Sequence, residues 1–153
     1  MFSKKITHPA FKSLQRGLFS YSGVADLAGH QDVAVSIKGR SNHNFEVALA
    51  EIEYLGSNLR AAVAPASQDF FGTYEAVKDA VLSEALSLED AGGELPELKS
   101  PEEVWKHLAL ESVAIEPDSQ LSVRLGFRAP WEVEHDLGLY LKDREFQYAG
   151  VSV

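Results

Sequence analysis

The chain has 153 residues, 45% hydrophobic and 24% charged, with a net charge of −9 and no cysteine. That is the size and composition of one domain with its own core, so a single domain over 1–153 is expected, and the absence of thiols excludes disulfides, thiolate nucleophiles and thiolate metal sites and fits a reducing, cytoplasmic compartment. No run approaches the roughly 18 apolar residues of a membrane span, and residues 1–16, despite Lys4, Lys5, Lys12 and Arg16, lack the apolar stretch of a secretory leader, so no membrane association is expected.

Phe19 and Tyr21 alternate with Ser20 and Ser22, and after Ala28-Gly29-His30 the residues Val33, Val35 and Ile37 alternate with Ala34, Ser36 and Lys38. Period-two patterning across a short glycine-containing connection predicts a β-hairpin. Residues 39–44 have loop chemistry, with Asn44 as the expected helix cap. From Phe45 the period changes: Ala48/Leu49, Ile52, Leu55, Leu59 and Ala62/Val63 form the stripe of an amphipathic helix, which Pro65 is expected to end. A second stripe over 67–88, through Phe70 or Phe71, Tyr74, Val77, Val81, Ala85 and Leu88, predicts a second helix antiparallel to the first.

Residues 89–99, with Gly92-Gly93 and Pro96, read as a loop, and Ser100-Pro101-Glu102-Glu103 is the start signal of a short third helix carrying Val104, Trp105 and Leu108. Strands return after Leu110. Val113 and Ile115 precede Pro117; Leu121, Val123, Leu125 and Phe127 face one way; Leu137, Leu139 and Leu141 alternate with Gly138, Tyr140 and Lys142; and Asp143-Arg144 turns the chain into Phe146, Tyr148 and Gly150. The expected class is α+β: an N-terminal β-hairpin, two or three central helices, and a C-terminal antiparallel β-meander packed with the helices on one face.

The charge is localised. Twelve acids against three bases between 75 and 118 account for the whole net charge. Such a field repels phosphate backbones, so no nucleic acid is expected, and it suits a basic protein partner. Glu89, Asp90, Glu94, Glu97, Glu102 and Glu103 are the candidate partner-binding patch, with a solvated, solubilising face as the plainer reading. Trp105 and Phe70-Phe71 are read as core, with partner contact as the alternative.

No catalytic motif stands out. His8, His30, His43, His107 and His135 form no H-x-H, H-x₃-H or H-E-x-x-H pair, and neither G-x-S-x-G nor a phosphate-cradling glycine loop is present, so no metal and no cofactor are expected. The one dense polar cluster is Trp131, Glu132, Val133, Glu134, His135, Asp136, Leu137 and Gly138, placed between the two best strands. Glu132, Glu134, His135 and Asp136 together have the chemistry of a general acid/base pair. The competing reading is a strand connection in which Trp131 plugs the core edge, Glu132 or His135 bonds backbone groups, and Asp136 sits in a turn.

At this cluster the sequence resembles a family of small, uncharacterised bacterial domains whose C-terminal half carries tryptophan, an acid, any residue, then Glu-His-Gly-Leu-Gly on a β-hairpin. His8-Pro9-Ala10-Phe11 and the strand after it are similar as well. Asp136 stands where that pattern has glycine, which implies a tolerated φ > 0. The resemblance implies an immunity-type protein-binding role, like that of small domains accompanying bacterial toxin systems. An acid/base hydrolase and a structural or oligomerisation module are the alternatives.

Overall fold

In the computed structural model, described for residues 4–118 and 120–151, eight strands form one sheet in chain order. They are β1 (Lys4–Lys5), β2 (Ser13–Arg16), β3 (Ser20–Leu27), β4 (His30–Lys38), β5 (Ala109–Pro117), β6 (Leu121–Ala129), β7 (Glu132–Lys142) and β8 (Glu145–Val151). Every neighbouring pair is antiparallel except β4 and β5, which run parallel through Val35↔Val113 and Ile37↔Ile115. Parallel neighbours cannot share a tight turn, so a long crossover joins them. The predicted hairpin and meander are therefore halves of one sheet, an α+β arrangement.

The crossover corrects the helix count. Helices α1 (Asn42–Val63) and α2 (Ser67–Leu82) do not fold back on each other: the 3₁₀ turn Ala64–Ala66 links them into one helical run. Val63, Ala64, Ala66 and Ser67 all keep right-handed helical dihedrals, and Ala64 still donates to the Arg60 carbonyl. Pro65 lacks an N–H where the bonding tightens from i+4 to i+3, so the ring is absorbed without a reversal. Ser41, rather than Asn44, caps α1 by accepting from the Asn44 N–H at 3.0 Å, while the Asn44 side chain donates to the Lys38 carbonyl. At the far end α2 stops at Leu82 instead of Leu88. Glu84 takes φ 63 and Leu86 donates to the Ala80 carbonyl, a left-handed closure of the last turn. The third predicted helix is a six-residue 3₁₀ segment, Pro101–Lys106.

The alternating strand residues enter the core as their period requires. Val33, Val35, Ile37, Val113, Ile115, Val123, Leu125, Phe127, Leu137, Leu139 and Leu141 are all buried beneath the helical run. Helix α1 touches β3, β4 and β5 and also β8, so the sheet coils around it. Two-residue turns close both hairpins that flank this wrap: Ala28-Gly29 and Asp143-Arg144 have positive φ at both positions, which matches strand twist.

The second turn carries a long-range contact. Arg144 Nε donates to Glu51 Oε2 at 3.0 Å, and its guanidinium lies 3.9 Å from the Tyr54 ring centroid. Glu51 is 0% exposed on α1. A carboxylate out of water needs its counter-charge, so this pair ties the β7–β8 hairpin to the helix. Arg144→Ala should lower unfolding free energy by about 2 kcal/mol in urea titration, below the range for fully buried pairs because Arg144 is half exposed.

His30, where β4 begins, accepts a hydrogen bond from the Leu110 N–H at 3.1 Å through Nδ1 and stitches the first turn to β5. Burial pushes its pKa below the ordinary 6.5. A histidine depressed in the folded state contributes stability above the unfolded pKa, and that contribution drains as pH falls from 6.5 toward the folded value. Thermal stability should therefore decline with acidification below pH 6.5, and His30→Gln, which keeps an acceptor without that titration, should flatten the decline.

Candidate functional site

The strand-joining role expected for residues 131–138 shrinks to two residues. Ala129 pairs with Glu132, so only Pro130 and Trp131 form the β6–β7 connection, and Glu132 onward is already strand β7. Trp131 turns inward and is buried. Its Nε1 donates to Thr73 Oγ1 at 2.9 Å, and its ring meets Tyr74 edge-on with centroids 5.4 Å apart. Glu132 Oε1 accepts from the backbone N–H groups of both Glu134 and His135 at 3.1 Å, and His135 Nδ1 lies 3.6 Å from the same oxygen. Glu132 thus binds the strand's first turn of backbone, as one of the two readings expected.

Asp136 does not sit in a turn, and its backbone is in strand β7 rather than at positive φ. Its carboxylate receives Arg124 Nη2 at 2.8 Å across the outer face of the sheet, and Arg124 Nε donates to the Tyr140 hydroxyl at 3.0 Å. Asp136, through that hydrogen bond, raises the pKa of Arg124 above its usual value. Gly126 and Gly138 pair directly beside this ion pair. A Cβ on Gly126 would overlap Asp136 Oδ2 and Ser112 Oγ, so glycine makes the room in which the guanidinium and carboxylate lie. The aspartate in place of glycine is explained by Arg124 and not by backbone conformation. The acid/base cluster is consequently divided: Glu132 holds backbone, Asp136 holds Arg124, and Glu134 is exposed at the surface. Among the described residues no three His, Asp or Glu side chains group to hold a metal ion, and no helix is long and apolar enough to cross a membrane.

The indole of Trp131 leads to the acidic segment. Tyr74, on which it packs, donates its hydroxyl hydrogen to the Pro96 carbonyl at 2.7 Å and accepts from the Leu98 N–H at 3.2 Å. Residues 83–100 contain no regular element, yet Ala91 and Leu98 are buried, and Gly92 lies against the Pro130 turn. Glu89, Asp90, Glu94 and Glu97 project outward from this pinned segment, and Glu102 does so from the 3₁₀ segment that follows. Glu103 differs: its Oε2 accepts from the Lys99 N–H, and backbone hydrogen bonds hold its pKa below the usual carboxylate value. It caps the 3₁₀ segment. The acids are also less contiguous than in sequence. Glu111 pairs with Arg128 at 3.2 Å, and Asp118 sits 3.9 Å from Lys38 at the opposite end of β5.

Beside the acids lie apolar groups: Leu88 is 46% and Val133 61% exposed. Glu94, Leu95, Pro96, Glu97, His107 and Pro130 line an open concavity of about 510 Å³. Trp105 and Phe70 form an edge-on aromatic cluster with Phe127, and Trp105 Nε1 donates to Ser67 Oγ at 2.8 Å; Phe70 is core as expected, while Trp105 is partly buried at the core's margin. Phe71 stacks on Tyr74.

Gly92 has φ +101, and a Cβ there would come within 2.5 Å of the Pro130 carbonyl oxygen and 2.8 Å of Val133. Gly92→Ala should cost about 1–3 kcal/mol of thermal stability and raise amide exchange over 91–98 first, because backbone strain and collision meet at one position. Trp131→Phe, which removes the N–H that Thr73 Oγ1 accepts while leaving Thr73 its donation to the Phe70 carbonyl, should cost about 1 kcal/mol.

A family model described as "Domain of unknown function (DUF6985)" matches residues 11–152. No curated protein and no solved structure matches the chain.

Proposed function

The chain belongs to the DUF6985 family, whose description carries no activity, and from that premise we propose that it is a non-enzymatic binding domain whose acidic segment receives a basic protein partner. The observation that carries this reading is that residues 83–100 display their acids on an irregular segment anchored at Pro96 and Leu98 by Tyr74, which itself packs on Trp131. Long connections without secondary structure are usually either disordered or functional, and buried anchors argue against the former. A solvated face that served only solubility would have no need of such anchoring. Leu88 and Val133 add apolar contact area among the charges, the mixture of anchor and polar rim found at protein interfaces. Complementary charge speeds the encounter and selects the partner.

An immunity-type role, by resemblance, is the biological form this binding would take. A hydrolase built on Glu132, His135 and Asp136 is the second reading, supported by the 3.6 Å approach of His135 to Glu132. An NMR titration of His135 separates the two: a histidine that titrates as a free imidazole sinks catalysis.

Capture of soluble proteins on the immobilised chain, at low and at high salt, tests the leading reading. Charge reversal at Glu89, Asp90, Glu94 and Glu97 should weaken capture of a basic protein at least roughly tenfold, mainly by slowing association. Glu103 is left intact because its reversal would disturb the 3₁₀ cap. Capture indifferent to both salt and reversal would refute the proposal.

A further inference from the structure

The two edges of the sheet are built differently. Among the described residues strand β1 comprises two, both exposed lysines. Short length and charged side chains, lysine above all, are how sheets prevent another chain from adding a strand. Strand β8 has seven residues, one charge (Glu145) and no proline. Among the described residues, 145–151 make no backbone–backbone hydrogen bonds except those with β7. Phe146 and Ala149 pack against the core and fix the strand from the inner side, while Tyr148 is 60% and Val151 42% exposed.

The exposed groups are complementary to each other. On the outer face Tyr148 stacks on Tyr140 with centroids 4.4 Å apart and stands proud of the sheet. Two residues on, Gly150 carries no side chain, and a Cβ built there would meet nothing within 4 Å. The register shift between Tyr140 and Leu141 leaves Gln147 without a partner on β7 and makes 148–151 the regular part of the edge. If this stretch pairs antiparallel with its own copy about Ala149, Tyr148 of each chain falls opposite Gly150 of the other, on the same face. An aromatic ring laid over a cross-strand glycine is a stabilising pair. The two Glu145 carboxylates lie at opposite ends of such a joint, so no like charges oppose. Pairing β8 with β1 of another copy would bring it against the exposed Lys4 and Lys5 and would leave further edges open, whereas β8 with β8 closes by two-fold symmetry.

We propose that β8 is a self-association edge, through which two copies join their sheets by antiparallel β8–β8 pairing with Tyr148 over the partner's Gly150. This is independent of the acidic segment. Sedimentation of the full chain from about 1 to 200 µM, spanning ordinary self-association constants, should show mass approaching twice 16.8 kDa. Gly150→Lys is the sharp variant. The open space around Gly150 accommodates a lysine in the single chain, so thermal unfolding at the lowest concentration should be unchanged, while the dimer constant weakens at least roughly tenfold. Amides of 145–151 should gain hydrogen-exchange protection with concentration. A wild-type chain monomeric throughout, a Gly150→Lys chain as dimeric as wild type, or protection appearing on 145–151 only with a different protein bound would each overturn the proposal. The exchange measurement decides the matter on the wild-type chain if the variant fails to fold.

Discussion

Tyr74 uses each side of its phenol for a separate task. The ring packs edge-on against the buried indole of Trp131, and the hydroxyl donates to Pro96 while accepting from Leu98. A phenol can do both at once because it carries one hydrogen and two lone pairs. The same residue therefore joins helix α2, the β6–β7 turn and the acidic segment, beside the Trp131–Thr73 hydrogen bond and the approach of Gly92 to Pro130. Without that junction, residues 83–100 would have few apolar contacts to offset the entropy of ordering them.

The rest of the architecture reads as a consequence of holding that junction in place. The helical run must pass unbroken through Pro65 for α2 to reach the end of the sheet where β6 turns into β7. It begins beside the opposite end, just after β4, and the Glu51–Arg144 pair fastens it to the β7–β8 hairpin on the way. The coiling of the sheet brings β8 around to the same helices. What remains uncovered is the outer face of the sheet, where glycines admit the Arg124–Asp136 pair, and the β8 edge.

Charge and chemistry part company at the signature. Residues 131–138 hold three carboxylates and an imidazole, the densest polar run in the chain, yet Glu132 is engaged by the backbone of β7 and Asp136 by the guanidinium of Arg124, while Glu134 is exposed. Their neighbour Trp131 turns into the core, with its ring against Tyr74 and its N–H on Thr73. Proximity in sequence put these groups on one strand, and their hydrogen-bond partners then separated Glu132 from Asp136.

Strand periodicity, the Ala28-Gly29 and Asp143-Arg144 turns, and the burial of Val123, Leu125 and Phe127 and of Leu137, Leu139 and Leu141 were all legible in the sequence, because they depend on the alternation of neighbours and on local φ preferences. The acidity of 75–118 was equally plain. Tertiary structure alone decided that the helices run on through Pro65, that β4 and β5 lie parallel, that Glu51 is buried against Arg144, and that Glu103 caps backbone while Glu94 and Glu97 stay at the surface. Each of these depends on a partner far along the chain, and one-dimensional patterning carries no record of which distant residue supplies the missing charge, hydrogen bond or ring.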